Sequence, residues 1–555
     1  MVFAVIAVRP MRQLPCPASM QSPVETFTAE EQRRLAPHVS NLDRPVFALV
    51  GLPETVKGAL FARYSRYPGT LRRLFLDEFA DSLPADAGAA AARDHDPEGS
   101  RAAELYERIF VGYGDDSVAQ LGGAHVACEW VSNVLTKVLQ RPRLGSYLEQ
   151  STRYIAYDGR VAFGDGEGYR YFRDDTLGPQ YPQAMDAIFA AYSRALPGVR
   201  AWVDGSFPGD PSPARDRAVQ AKALDLLRGL LPAASLSHMG IYASGQTYEQ
   251  LILHLLAHPL PEARETGEGV LAAVQAVMPS FVSRVRRPDR GGAWVDYLRS
   301  RDDAGARWVT RLGLDRPGAS EAEGPSVRLL HVDGDEESLL AALLFEAGAT
   351  SEQDARIRLS ALDADERARL LADLIGARGN RRHRPGRGFE ALRYRFEVVA
   401  DYGAFRDLQR HRMLTVQWQR LTPDLGAGVP EEVDAAGWGE DYRRALQTSE
   451  REYRRLLDAG HDARTASYAL CLGYRIRFVL DLNAREAMQL IELRSGREGH
   501  PSYRAVAHEM HRQIAQVHPF VGAAMTHLDQ DTEPRLERIL SEMRTEARRG
   551  AAGVG

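Results

Sequence analysis

One short pattern occurs twice in this chain and restricts its architecture more than any other feature. Leu139-Gln140-Arg141-Pro142-Arg143 runs on into Leu144, Gly145 and Ser146, and Leu408-Gln409-Arg410-His411-Arg412 runs on into Met413, Leu414 and Thr415. The copies stand 269 residues apart in a chain of 555, each near the middle of a half of similar length. A repeat at that separation predicts two tandem domains built on one plan. Length agrees, because a single core rarely grows past about 300 residues. From Asp302 to Ser326 apolar periodicity gives way to Gly, Pro, Ser and charge, which predicts a linker and a boundary near Glu323. Residues 1–44 read as a disordered extension, with Met20 as an alternative start and helix-like patterning first appearing at Glu25. The expected domains are therefore 45–322 and 323–555.

Apolar spacing predicts helices from Leu52 to Phe79, where Val56, Leu60, Phe61, Tyr64, Leu71, Leu74 and Phe75 recur at three- and four-residue steps. Helices are also expected over Ser117–Gln140, Ala218–Leu231 and Tyr248–Leu255, with a surface loop over Asp81–Ser100. The second half opens with helices at Leu339–Phe345 and Ala364–Ile375. A strand begins at Tyr394, and helices return from Glu431 onward.

Composition removes several classes of function. Lys plus Arg total 70 against 75 Asp plus Glu, so no global charge favours nucleic acid. The basic turn Asn380–Arg387 lacks the interleaved aromatics of a single-strand platform. Mean hydropathy is −0.34 and no run reaches the about 18 apolar residues of a membrane helix. Cys16, Cys128 and Cys471 are far apart and have no histidine cluster beside them, so no disulfide framework or metal site is expected and the compartment reads as cytoplasmic. No dinucleotide, P-loop, zinc-protease or serine-hydrolase signature is present.

Three segments carry the residue types that bind anions. In the stretch from Arg141 to Tyr154, Arg153 offers a planar guanidinium fork, Ser151 a hydroxyl and Glu149 an acceptor for an N–H group, a set suited to a nucleotide or equally to a solvated turn. Arg410, His411 and Arg412 concentrate positive charge, as an anion site or a surface ion-pair cluster would. Asn483, Arg485, Gln489 and Arg494 have helical spacing, with His500 following a glycine turn, and they fit a ligand-facing helix or an exposed amphipathic one.

The segment RPRLGSYLEQSTRY resembles the signature R-H-R-x-x-S-x-N-E-Q-S-x-R-Y of the flavin-dependent thymidylate synthases (ThyX), with Pro142 in place of His and Leu148 in place of Asn. The second copy, RHRMLTVQWQRLTP, keeps Arg410, His411 and Arg412 but loses the end of the signature between Trp418 and Pro423. Asn483, Arg485, Leu493, Arg494 and His500 resemble a downstream family pattern. The resemblance implies an α+β fold of two tandem ThyX-like domains, each with helices packed on a mixed or antiparallel sheet.

It further implies reductive methylation of dUMP to dTMP, with FAD as cofactor, NADPH as reductant and methylenetetrahydrofolate as one-carbon donor, and no metal. Glu149, Ser151, Arg153 and Arg494 would then contact dUMP, with Arg494 polarising the uracil. Arg410, His411, Arg412, Asn483, Arg485, Gln489 and His500 would hold FAD. Arg228 resembles a further nucleotide contact, one belonging to a decayed reciprocal site. Because the two copies are complementary, each chain is expected to complete one composite site, and a homodimer to imitate the family tetramer. An inactive flavin- or nucleotide-binding paralogue, or an enzyme methylating another pyrimidine nucleotide, are the alternatives. No cysteine lies in these motifs to act as the nucleophile that flavin-independent thymidylate synthases use.

Overall fold

A computed structural model describes residues 20–23, 25–82, 119–164, 166–315 and 324–552. Most of the loop expected at Asp81–Ser100, and residues 316–323 of the expected linker, lie outside the described residues. The chain divides into two compact units, one of residues 1–186 and 233–319, the other of 187–232 and 320–555. Residues 187–232, which the sequence places in the N-terminal domain, thus belong with the C-terminal half.

In the first unit, α1 (Ala29–Leu35) and β1 (Val46–Ala48) lead to α2 (Glu54–Tyr64). The first of these departs from the expectation of disorder over 1–44. Thr28 and Glu31 form a reciprocal capping box at the start of α1, and Leu35 is fully buried. The residues picked out by spacing, from Leu60 to Phe75, share one buried cluster with Phe47 and Ala127.

Where a helix is expected from Ser117, the chain instead forms the strand β2 (Gly123–Ser132) followed by a short helix, α3 (Asn133–Leu139). Nearly every residue of β2 is buried on both faces, so it lacks the polar–apolar alternation that identifies a strand. After α3 come β3 (Gly145–Glu149), β4 (Leu236–Ser244), α4 (Gly245–Ala257), α5 (Pro261–Gln275) and α6 (Ala293–Arg311). The last of these carries helix well into the segment read as linker. The four strands form one antiparallel sheet in the order β1-β2-β4-β3.

The second unit repeats the plan. β5 (Ser326–Asp333) is followed by α7 (Glu336–Leu344), a helix over Ala364–Ile375 as expected, β6 (Arg393–Asp401), α8 (Tyr402–Leu408) and β7 (Leu414–Trp418). The helix α9 (Gly439–Asp458) precedes β8 (Arg475–Asn483), α10 (Ala484–Arg494) and α11 (Pro501–Val517). The antiparallel sheet has the order β5-β6-β8-β7, the same pattern as in the first unit. The helices expected from Glu431 on are interrupted by β8, whose Ile476, Phe478, Leu480 and Leu482 alternate toward the core.

Backbone bonds explain why residues 187–232 join this unit. The amides of Leu472 and Gly473 donate to the carbonyls of Leu231 and Gly229, each at 2.8 Å, and Pro232 pairs with Cys471. Gly229 permits the close approach, because a Cβ there would collide with the Tyr442 hydroxyl. Cys471 is fully buried at this seam, in keeping with a core role.

Candidate functional site

Both copies of the repeated pattern occupy the same place in their sheets. Each follows the helix after the second strand (α3 or α8) and turns the chain into the edge strand (β3 or β7). The candidate residues fall into two groups, one in each unit.

In the second unit the turn after α8 buries the imidazole of His411, which is only 6% exposed, between two side chains of α10. Its Nδ1 lies 2.9 Å from Glu486 Oε1, and Arg494 Nε donates to its Nε2 at 3.0 Å. A guanidinium N–H can only donate, so Nε2 holds the lone pair and Nδ1 carries the proton given to Glu486. Burial lowers the His411 pKa below its ordinary value, the Glu486 carboxylate opposes this, and the Arg494 charge adds to it. The ring is therefore neutral at pH 7.

The helix α10 that supplies both partners is well specified locally. Asn483 caps it, its Oδ1 accepting from the Glu486 amide at 2.9 Å, and Arg494 in the last turn complements the helix dipole. Glu486 and Arg494 stand eight residues, or about 12 Å of rise, apart and converge on His411. The Arg494 guanidinium also lies over the Tyr503 ring at 5.6 Å. From sequence, His411 and Arg494 read as ligand contacts, and Glu486 only as an ion-pair partner should the helix be an exposed amphipathic one.

The remaining second-half candidates lie around this set. Arg410 and Arg412 are exposed, and Gln489 is half-buried on α10. Arg485 Nε donates to the Pro385 carbonyl at 3.0 Å, and its Nη1 is 3.6 Å from Glu390, so the basic turn Asn380–Arg387 is docked against it. Arg381, Arg382, Arg384 and Arg387 of that turn are exposed.

His500 caps α11 through Nδ1, which accepts from the Ser502 amide at 3.2 Å, and it lines a 460 Å³ cavity with Arg228, Lys222, Asp401 and Arg475. His411 and Arg494 are not among the residues lining it. Arg228 is buried there between Asp407 at 3.2 Å and Asp401 at 3.7 Å. It therefore belongs to the second unit's own fabric.

In the first unit Glu149 is not placed for a ligand. Its Oε2 accepts from Lys137 Nζ at 2.9 Å and from Gln140 Nε2 at 2.8 Å, and both members of the ion pair are 1% exposed. Ser151 and Arg153 are half-buried in the following turn, where the Arg153 amide donates to Ser151 Oγ at 3.2 Å. Arg170, which sequence reading missed, ties this turn down. It donates to Gln150 Oε1 at 2.6 Å and to the Leu236 carbonyl at 3.1 Å, while its guanidinium stacks on Tyr157 at 4.5 Å and Trp130 at 5.2 Å. Trp130 has φ of 55°, a left-handed conformation unusual for a bulky residue, at the point where β2 breaks register. Its amide is held by His238 Nδ1 at 3.2 Å.

The thymidylate synthase complementing protein family model matches residues 78–280 and again 329–520, once in each repeat. The chain belongs to this family. The chain is 36% identical to a UPF0159 protein of Chlamydia muridarum, over 94% of its own length and 99% of that protein. A UPF0159 protein of Thermoplasma acidophilum is 31% identical over 89% of this chain and 99% of its own length. Among solved structures, a UMP/dUMP methylase from Streptomyces cacaoi bound with 5-Br dUMP aligns with 38% of this chain and 99% of its own, at 21% identity and a TM-score of 0.30. Two separate matches to one family model, on two sheets of identical strand order, make the chain a tandem duplication. No helix among the described residues is long and apolar enough to cross a membrane.

Proposed function

We propose that the protein is an FAD-dependent thymidylate synthase that methylates dUMP to dTMP with methylenetetrahydrofolate and NADPH. The observation that carries this reading is the His411–Glu486–Arg494 set, which joins the two family motifs of the second half in one bonded cluster. A guanidinium held at a fixed imidazole is a preorganised donor for a uracil carbonyl on which negative charge grows. Ser151 and Arg153 supply a hydroxyl and a planar cation suited to the nucleotide phosphate.

The donor chemistry around Arg485 fits a dinucleotide cofactor. Arg410, Arg412, Arg485 and the arginines of the docked basic turn offer guanidinium groups for a diphosphate. His411 itself has both ring nitrogens engaged within the protein, so its part is to orient Arg494. Asn483 contributes through its cap and His500 through the start of α11. When bound, FAD supplies hydride chemistry, and the protein's share is positioning and electrostatics. Glu149 is left out of the nucleotide site because Lys137 and Gln140 hold it in the interior. A homodimer is the assembly this reading favours, since one chain already carries two family repeats.

The test is an FAD titration of the purified full-length protein, followed by visible absorption, with dUMP then added. Saturable flavin binding and a dUMP-dependent spectral change are expected. Absence of both overturns the reading, and a response to another pyrimidine nucleotide but not dUMP redirects it to that substrate.

A further inference from the structure

The duplication allows the two copies of the site to be compared within one chain. β4 and β8 are each nine residues long, and each runs directly into its helix, α4 or α10. Ser244 therefore corresponds to Asn483, and both cap their helices. In this register Thr247 stands in the place of Glu486 and Leu255 in the place of Arg494, while Pro142 takes the place of His411 in the repeated pattern.

The three linked residues are thus absent together from the first repeat. None of their replacements carries a charge. Beside Pro142 the pattern is kept, Gln140 matching Gln409, Arg141 matching Arg410 and Arg143 matching Arg412; on the helix Gln250 matches Gln489, while Gln246 stands in the place of Arg485 and His254 in that of Leu493. In the second repeat the three are joined by hydrogen bonds, with Glu486 at one end of the chain of bonds and Arg494 at the other.

We propose that Glu486 is a positioning residue for Arg494, holding the Nδ1–H of His411 so that Nε2 remains the acceptor that fixes the guanidinium. The inference rests on the reading that Arg494 faces the nucleotide. Its physical basis is the chain of bonds from Glu486 Oε1 to His411 Nδ1 at 2.9 Å, and from His411 Nε2 to Arg494 Nε at 3.0 Å. Without an acceptor at Nδ1 the imidazole is free to take the other tautomer, whose Nε2–H points at a guanidinium that also only donates. Glu486 is 5% exposed, so its carboxylate is spent on this ring and not on solvent. The charged groups acting on His411 are Glu486 and Arg494, both on α10. Once protonated, the ring can no longer accept from Arg494.

The experiment uses the full-length protein labelled with ¹⁵N-histidine, with His411→Asn to assign the His411 signals, and measures dUMP affinity alongside. In the unaltered protein at pH 7.5, His411 should show a protonated Nδ1 and a bare Nε2. Glu486→Ala should populate the other tautomer and weaken dUMP binding about 10- to 100-fold, the value of one charge-assisted hydrogen bond. Glu486→Gln keeps an oxygen acceptor and the shape of the side chain, so the tautomer should persist. The negative charge is gone, however, and the pH at which His411 protonates should fall.

A wild-type His411 protonated at Nε2 would overturn the proposal, as would Glu486→Ala with an unchanged tautomer, or Glu486→Gln with an unchanged His411 titration. If the unaltered protein binds no dUMP, the functional reading fails by itself, while the tautomer signals still decide the role of Glu486.

Discussion

Replacing Lys137 by Met tests whether Glu149 serves the fold or the nucleotide. Lys137 and Glu149 form an ion pair 2.9 Å long with both side chains 1% exposed, and Gln140 donates to the same carboxylate oxygen. Removing one member of a buried pair strands the other charge in a medium that solvates it poorly, a loss of about 3–5 kcal/mol. Lys137→Met should therefore cost about that much in urea unfolding followed by circular dichroism, and Glu149→Gln should cost a comparable amount. The double variant removes both charges together and should be at least about 2 kcal/mol more stable than the sum of the single losses implies, the sign of direct coupling. Its dUMP affinity should match that of the unaltered protein. Losses below about 1 kcal/mol that simply add would refute the buried-pair reasoning. A Glu149→Gln protein of normal stability with weakened dUMP binding would restore the nucleotide role that the motif resemblance implies.

Four further outcomes follow from the geometry. Arg494→Ala should abolish dTMP formation while FAD remains bound, a loss of about 3–4 kcal/mol of transition-state stabilisation, and normal turnover would contradict the assignment. Glu129 is fully buried, and burial pushes its carboxyl up to about 7 against the opposing charge of Arg72. A folded-state pKa above the unfolded value means the native state holds the extra proton, so Glu129's contribution falls as pH rises from about 4.5 to 7, by about 3 kcal/mol. Glu129→Gln should remove that slope from the pH dependence of unfolding, and an unchanged slope would refute it. Asn483→Ala removes the α10 cap and should cost about 1 kcal/mol in the same unfolding assay; no loss would mean the cap contributes nothing. Cys128 and Cys471 are buried with their thiols pushed up to about 12, so Ellman's reagent should find both only after denaturant is added, and reaction of either in the folded protein would contradict their burial.

Much of the site was legible because its signals are local. The helical spacing of Arg485, Gln489 and Arg494 and the repeated turn each lie in one short segment, and in the structure the first falls on α10 and the second follows α8. What stayed hidden depends on distant partners or on burial. The pairing of Lys137 with Glu149 joins a helix to an edge strand, and nothing in either segment marks that carboxylate as taken. β2 is buried on both faces, His125 and Glu129 included, so its sequence lacks the polar–apolar alternation that would have told a strand from a helix. β8 was open to reading, since Ile476, Phe478, Leu480 and Leu482 alternate, but the helical stretch before it obscured the change of period. The assignment of residues 187–232 to the second unit follows from bonds between Gly229–Leu231 and Leu472–Gly473, a pairing across more than two hundred residues that no local pattern announces. The motif resemblance supplied the family, and the bonded geometry then separated Glu149, held in the core, from Arg494, held at His411.

The most direct test of the proposed activity is a product assay. The full-length protein is incubated with FAD, NADPH, methylenetetrahydrofolate and dUMP, and the nucleotides are resolved by mass spectrometry. Formation of dTMP that requires all four components, and that disappears in the Arg494→Ala variant, is the predicted result. A protein that binds flavin and dUMP yet forms no dTMP under these conditions would contradict the account and leave it a nucleotide-binding member of its family without this reaction.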